Sequence, residues 1–201
     1  MIKKEQQSNN ELRLTIKNMV CPRCVMAVEQ IFREAGIVVE SVVLGTVTLK
    51  EQLNYDQKST IEQHLVKMGF EIIRDNKEQS VERIKSIIID LIRNREVGNG
   101  LSLRMYLQQQ MLKEYSTLTR MFSNYEGITI ERYYNLQRIE KAKELLQYNQ
   151  QTIKEIAYDL GFSSSQHFSS NFKEYTGQTP QEFRLNGTSG RLPLDGISGV
   201  K

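Results

Sequence analysis

The chain has 201 residues, a length that allows one large domain or two small ones. Its 39% hydrophobic and 25% charged residues exclude wholesale disorder. The net charge of +3 is spread almost evenly, so charge alone marks no nucleic-acid-binding segment. No run approaches the roughly 20 apolar residues of a membrane span, and the first residues lack the apolar core of a secretion signal. We therefore expect a cytoplasmic protein that makes no membrane contact.

Residues 1–75 carry the hydrophobic periods of alternating strands and helices. The predicted elements are a strand at 12–16, a helix from 24 to 36, strands at 37–44 and 47–49 joined by a hairpin, a helix at 56–68 and a strand at 69–73. The order β-α-β-β-α-β is that of the split βαβ, ferredoxin-like arrangement. Because an all-helical segment follows, the predicted fold class of the whole chain is α+β.

A connecting amphipathic helix is predicted over residues 77–95, within a linking segment at 76–100. Its apolar residues Val81, Ile84, Ile88 and Leu91 follow a 3-4-3 spacing. Two heptads fall short of the three or four that indicate a coiled coil. The helix therefore either packs on its own domain or forms the seam of a homodimer. The segment 97–100 ends it and marks a domain boundary.

An internal repeat lies in the all-helical segment 101–185. The pattern Leu118-x3-Phe122-x2-Tyr125-x-Gly127-x-Thr129 recurs, fifty residues later, as Phe168-x3-Phe172-x2-Tyr175-x-Gly177-x-Thr179. A long helix over 131–146 separates the two copies. The segment 186–201 is rich in glycine, and we expect a flexible tail there.

The second copy has the pattern of a helix-turn-helix. An apolar stripe stops at Gly161, Ser164 can cap the next helix, and Phe168 and Phe172 form that helix's inward face. Short and amide side chains, which can approach base edges, and one cation for phosphate are predicted on the outward face. These candidate DNA contacts are Ser165, Gln166, Ser169, Ser170 and Lys173.

Residues 102–184 resemble AraC/XylS-type transcription regulators. The resemblance rests on Tyr133 to Ala142, on Ala157…Gly161-Phe162, and on Phe168…Phe172-Lys173…Gly177…Pro180. It implies two helix-turn-helix units, joined by one rigid helix, that enter successive major grooves of promoter DNA about 34 Å apart. Aligning the copies gives the first recognition face as Tyr115, Ser116, Thr119, Arg120 and Ser123.

Three positions depart from that family's pattern. Gln108 stands where a small residue is usual, Leu112 replaces the turn glycine, and Ser170 replaces a common arginine. The first unit could therefore dock differently, or contact mainly phosphate through Arg120. The alternative to DNA binding is a helical bundle that never touches DNA.

The two cysteines, Cys21 and Cys24, stand at the junction of the first strand and first helix. A helix N-terminus, with Arg23 nearby, favours thiolate, and two soft thiolates can bind an ion such as Cu(I). The chain offers no second cysteine pair and no nearby histidine, which argues against a closed four-ligand zinc site.

Residues 11–74 resemble the heavy-metal-associated domain of copper chaperones and metal-pumping ATPases. The residues that carry it are Met19-x-Cys21-x2-Cys24, Val28-Glu29 and Gly69-Phe70, with Asn18 in place of the usual glycine. The resemblance implies that Cys21 and Cys24 bind the metal and that Met19 is a buried anchor. Two alternatives stay open: a thioredoxin-like dithiol, and a relic domain that only binds a partner or dimerises.

The combined prediction is a transcription regulator with no catalytic site. The amino-terminal domain would sense Cu(I) or another thiophilic metal, and the carboxy-terminal domain would bind double-stranded promoter DNA. The alternatives are a regulator that responds to thiol oxidation and a metallochaperone-like protein whose helical domain has another role.

Overall fold

The computed structural model describes residues 12–94 and 102–186. The predicted β-α-β-β-α-β order is the observed one in the first part of the chain. Its elements are β1 (Arg13–Lys17), α1 (Pro22–Glu34), β2 (Val39–Val43), β3 (Thr46–Leu49), α2 (Tyr55–Lys67) and β4 (Glu71–Ile73). Asn54 caps α2 through a reciprocal pair of hydrogen bonds with Gln57, which satisfies backbone groups that a helix end otherwise leaves unpaired.

The four strands form one antiparallel sheet in the order β2-β3-β1-β4. Successive side chains of a strand point to opposite faces, so the register decides which residues meet the helices. Ile16 lies opposite Ile72, and it joins Val28, Phe32 and Ile61 in a core between the sheet and the two helices. The alternation predicted for β1 is thereby confirmed.

A third helix, α3 (Asn76–Arg93), packs on the other face of this sheet. Lys17 on β1 forms an ion pair with Glu78 at 3.1 Å, and Gln79 Nε2 donates to the carbonyl of Ile73 at 2.8 Å. At the β2–β3 turn, Gly45 has φ of +73°, and a Cβ there would lie 2.3 Å from Ser86 Oγ, so a larger residue would be strained and would displace the Ser86 side chain.

The chain forms two compact units, and the boundary between them falls between Ser86 and Ile87, inside α3. The four apolar residues predicted along this helix are each at most 2% exposed in the single chain: Val81, Ile84, Ile88 and Leu91. A homodimer seam through them would need them uncovered, so their burial favours packing within the chain.

The rest of the described chain is helical. Its elements are α4 (Leu103–Met111), α5 (Tyr115–Glu126), α6 (Ile130–Tyr148), α7 (Ile153–Asp159), α8 (Ser165–Thr176) and α9 (Pro180–Asn186). The predicted boundary at 97–100 and the predicted tail beyond 186 lie outside the described residues. Within the described ranges, no helix is both long and apolar enough to cross a bilayer.

Candidate nucleic-acid interface and cysteine pair

The turn between α7 and α8 is fixed by local sequence. Thr152 and Glu155 form a capping box at the start of α7. Gly161 follows that helix with φ of +69°, a left-handed conformation that costs glycine nothing. Ser164 Oγ then accepts from the backbone N–H of His167 at 3.1 Å, which confirms Ser164 as the predicted N-cap.

Aromatic packing holds α8 against the rest of the domain. Phe168 and Phe172 are both 0% exposed, and their rings lie 5.7 Å apart in an edge-on arrangement. Phe168 also contacts Phe162 in the turn, and Phe172 contacts Phe183 on α9. Because these contacts are made on two sides, the opposite surface of α8 is presented in a fixed orientation.

The outward surface of α8 is narrower than predicted. Gln166, Ser170 and Lys173 are exposed and form what we call the α8 stripe. Ser165 and Ser169 are half-buried, and Ser169 Oγ donates to the carbonyl of Ser165 at 2.8 Å. Three of the five predicted residues are therefore fully presented, and two lie at the edge of the surface.

The first copy presents fewer groups. On α5, Ser116 and Arg120 are exposed, whereas Thr119 and Ser123 are half-buried. Thr119 Oγ1 donates to the carbonyl of Tyr115 at 2.8 Å, as Ser169 does in the second copy. Arg120 stands where the second copy has Ser170, whereas the cation of the second copy, Lys173, lies about one turn further along its helix.

Tyr115, a predicted DNA contact, is engaged inside the domain. Its hydroxyl donates to Glu131 Oε1 at 2.6 Å, and Arg104 lies over its ring. Partial burial and the bond to Glu131 raise the pKa of Tyr115. Although partial burial of Glu131 acts the other way, the Tyr115 bond holds the pKa of that carboxyl below its ordinary value. Sequence reasoning missed Glu131 because the two residues lie on different helices.

The connecting helix α6 contains a second residue that sequence reasoning passed over. Arg138 is 7% exposed, and its guanidinium lies 3.5 Å from the centroid of the Phe162 ring. Its Nη1 donates to Asn135 at 3.2 Å. A cation stacked on an aromatic face at this distance is strongly held when water is excluded. Arg138 therefore fixes the second turn to the connecting helix.

The cysteine pair lies at the start of α1. Cys21 is the N-cap residue, Pro22 is the first helical residue, and the two thiols are half-buried with their Sγ atoms 3.3 Å apart. Both sulfurs can reach one ion at that separation, and soft thiolates suit Cu(I). Across the described residues, no group of three or more His, Cys, Asp or Glu side chains is placed to hold a metal ion.

The preference for thiolate that the helix start predicts is opposed at Cys24 by burial. Burial raises the pKa of the Cys24 thiol, and the neighbouring Cys21 thiol adds to that effect. The backbone N–H groups of Val20 and Cys21 act in the opposite direction but do not outweigh it. Metal binding at this pair therefore has to displace a proton from Cys24.

Two predictions for the loop before the cysteines are confirmed. Asn18 has φ of +69°, the conformation for which asparagine is the best substitute for glycine. Its Nδ2 donates to the carbonyl of Gly69 at 2.9 Å. Met19 is 1% exposed, as expected of an anchor beneath the loop.

Residues 107–186 match a family model described as a helix-turn-helix domain. The transcriptional activator RhaS of Escherichia fergusonii is 38% identical over 68 residues, which are 34% of this chain and 24% of that protein. RhaS of Escherichia coli is 36% identical over 76 residues, or 38% of this chain and 27% of that protein. The chain thus spans about a quarter of the length of these curated relatives.

Among solved structures, the C-terminal domain of the response regulator AraT from Geobacillus stearothermophilus is 24% identical. The match covers 58% of this chain and 92% of that one, with a TM-score of 0.48. Two helix-turn-helix copies around one connecting helix define a DNA-binding class of domain. Together with the family model and the RhaS relatives, they identify residues 107–186 as a helix-turn-helix domain similar to the DNA-binding domains of AraC-type regulators.

Proposed function

We propose that the chain is a sequence-specific transcription regulator that binds promoter DNA through both helix-turn-helix copies. The observation that carries this proposal is the α8 stripe on an AraC-type domain. Gln166 and Ser170 offer short polar groups to base edges, and Lys173 offers a cation to phosphate. The fixed aromatic packing behind the stripe supports this role, because a recognition helix has to be presented rigidly.

The test is binding of the full chain to DNA selected from a random pool. Gln166→Ala should weaken binding to the selected site more than binding to random duplex, since Gln166 is assigned to base reading. The matched control is Gln63→Ala, at an exposed glutamine on α2, which should leave binding to the selected site and binding to random duplex unchanged. Equal loss on both DNAs would remove the assigned role of Gln166. Affinity should also fall with salt, with a log–log slope of about −0.9 per phosphate contact.

We further propose that residues 1–75 form a ferredoxin-like domain that senses a thiophilic metal such as Cu(I) at Cys21 and Cys24. The support is the 3.3 Å Sγ–Sγ separation, the loop held by Asn18 and Gly69, and the buried Met19. A metal changes DNA binding only if it binds two states of the protein with different affinity. The double variant Cys21→Ser, Cys24→Ser should lose Cu(I) binding and any metal response, yet keep metal-free DNA binding.

The route proposed for coupling is α3. The cysteine loop follows β1 directly, and Lys17 at the end of β1 holds Glu78 of α3. Although partial burial acts to lower it, the contacts with Glu78, Glu71 and Glu82 raise the pKa of Lys17, so its charge is retained. Lys17→Gln should leave Cu(I) stoichiometry intact and reduce the effect of Cu(I) on DNA affinity. An unchanged metal response would exclude this route.

A thiol-redox response is the second candidate. At 3.3 Å the sulfurs are just over 1 Å beyond the roughly 2.05 Å length of a disulfide, so a small rotation would join them. DNA selection repeated with Cu(I), Zn(II) or an oxidant separates the two. A response to oxidant alone would replace metal sensing by redox sensing. Cu(I) binding with no effect on DNA would favour the metallochaperone-like alternative for this half.

A further inference from the structure

His167 stands in the first turn of α8 and was not among the predicted DNA contacts. Each residue of an α-helix turns by about 100°. The centre of the outward surface is the direction opposite Phe168 and Phe172, and Ser170 points along it. His167 lies about 60° from this centre on one side, and Lys173 lies about 60° from it on the other. Ser169 lies about 100° away, which agrees with its partial burial. His167 is therefore nearer the middle of the outward surface than a residue that sequence reasoning chose.

The imidazole of His167 is held in place before any ligand arrives. Its Nδ1 lies 3.0 Å from Ser163 Oγ, and its ring meets Phe162 edge-on with centroids 5.7 Å apart. The ring is nonetheless exposed at the surface. A side chain that is already ordered loses little conformational freedom on binding, so its contacts contribute more fully to affinity.

The bond to Ser163 also determines what the other ring nitrogen offers. When the Ser163 hydroxyl donates to Nδ1, the neutral ring carries its proton on Nε2, and a protonated ring carries one there as well. Within the part of the chain that the structure describes, no acceptor is recorded for Nε2. With Nδ1 accepting from Ser163, or with the ring protonated, His167 presents one oriented N–H donor beside the α8 stripe.

We propose, on the basis of the DNA binding proposed above, that Nε2–H of His167 donates a hydrogen bond to a DNA backbone phosphate beside the groove that α8 enters. A phosphate is favoured over a base edge because the ring is tied back to the turn by Ser163 and Phe162. Gln166 and Ser170 stand closer to the centre of the outward surface, and the Gln166 amide bonds to the neighbouring Ser165 at 3.3 Å rather than to the turn. Contacts of this kind set the register of a protein on DNA without reading sequence.

The first experiment compares binding of the full chain to selected and random duplexes by fluorescence anisotropy at fixed salt. His167→Ala should weaken binding to both DNAs by a similar factor of about 10, the effect of a lost hydrogen bond to a charged group. His167→Gln, which keeps an N–H donor near the position of Nε2, should recover part of that loss. Loss on the selected DNA alone would assign His167 to base reading and overturn the proposal.

The second experiment replaces phosphates of the selected site, one at a time, by neutral methylphosphonates. At the contacted phosphate, wild-type binding should fall about tenfold while His167→Ala binding stays unchanged. Additive losses at every phosphate would overturn the proposal. Thermal unfolding shows whether each variant is folded. Ser163→Ala, which frees the His167 ring without removing it, should lower DNA affinity less than His167→Ala does.

The outcomes also separate this proposal from the function on which it rests. If the wild-type chain binds no duplex, both fail. If the wild-type chain binds DNA and His167→Ala binds equally well, only the His167 contact fails. If neutralising one phosphate weakens DNA binding equally in the wild type and in His167→Ala, His167 is not the residue that contacts that phosphate.

Discussion

The two helix-turn-helix copies bury equivalent residues but hold their helix ends by different means. In the second copy, Gly161 makes the turn and Ser164 caps α8. In the first copy, Leu112 takes the left-handed conformation with φ of +52°, and the N-cap residue of α5, Glu114, makes no side-chain capping bond. The turn of the first copy is also one residue shorter, since one residue rather than two lies between the left-handed residue and the N-cap residue.

Side-chain bonds between helices replace the missing local signals in the first copy. Gln108, which departs from the small residue expected there, donates to Glu114 at 3.2 Å. Tyr115 donates to Glu131 on α6 at 2.6 Å. The turn glycine and the helix cap of the second copy are thus supplied by its own sequence, whereas the corresponding turn of the first copy relies on side-chain bonds to neighbouring helices. Similar helix-turn-helix arrangements are therefore reached in one copy through local interactions and in the other through long-range ones.

The largest expected effect tests what the copies share. Phe122→Ala and Phe172→Ala each remove a ring that is 0% exposed, so each should lower the free energy of unfolding by about 3–5 kcal/mol. Urea unfolding followed by circular dichroism measures both. Tyr125→Ala, at 48% exposure, is the control and should cost less. Costs that differ between the two phenylalanines by more than about 2 kcal/mol would break the equivalence of the copies.

The next effect tests the turns. Gly161→Ala puts a Cβ on a residue with φ of +69° and should cost about 1–2 kcal/mol. Leu112→Ala is the matched control, because that position already carries a Cβ at positive φ. It should change the free energy of unfolding by no more than about 0.5 kcal/mol. The same urea titrations apply. A Gly161→Ala variant as stable as wild type would show that the second turn does not depend on glycine.

A smaller effect tests the interhelical bond of the first copy. Tyr115→Phe removes the hydroxyl that Glu131 accepts and should cost about 1 kcal/mol at pH 7, an amount reduced because both groups are partly exposed. Glu131 has a lowered pKa in the folded state, so its stabilisation is present above the unfolded pKa and is lost as pH falls through the folded one. The cost of Tyr115→Phe should therefore shrink as the pH is lowered from about 5 to 3.

A pH-independent cost would show that the hydroxyl acts through something other than the Glu131 carboxylate. Tyr148→Phe, at 65% exposure on α6, serves as the control for loss of an exposed tyrosine hydroxyl. It should leave the pH dependence of unfolding as it is in the wild type.

The smallest effect sharpens the comparison by making the first turn resemble the second. Leu112 is 90% exposed, so its replacement loses little packing. Leu112→Gly removes the steric cost of the left-handed conformation but adds freedom to the unfolded chain, and a net gain of about 0.5 kcal/mol is expected. Differential scanning calorimetry measures it as a raised Tm. A lowered Tm would mean that Leu112 contributes a contact of its own.

Much of the fold could be predicted because its signals are local. The hairpin at Gly45 and the cap at Ser164 each depend on a few neighbouring residues, whereas the positive φ of Asn18 and the burial of Met19 were implied by the resemblance to heavy-metal-associated domains. The repeat was visible for the same reason, since aromatic residues recur at a helical spacing. These features are properties of short segments, in which residue type restricts backbone angles or the buried face.

The site was predicted less completely. Periodicity selected Ser165 and Ser169, which lie at the edge of the α8 surface, and passed over His167, which lies nearer its centre. The engagement of Tyr115 by Glu131 and the stacking of Arg138 on Phe162 join residues on different helices. The raised pKa of the Cys24 thiol likewise depends on the groups that bury it in the folded chain.

The order of the elements, the two helix-turn-helix copies and the closeness of Cys21 to Cys24 could all be read from the amino-acid sequence. Those features follow from the periods of helix and strand and from the residues that start and end them. Which polar groups face outward, which are hydrogen-bonded inside the domain, and the contact of Lys17 with Glu78 became known from the packed chain. These outcomes depend on side chains from segments far apart in sequence, whose distances and burial are set only when the chain packs.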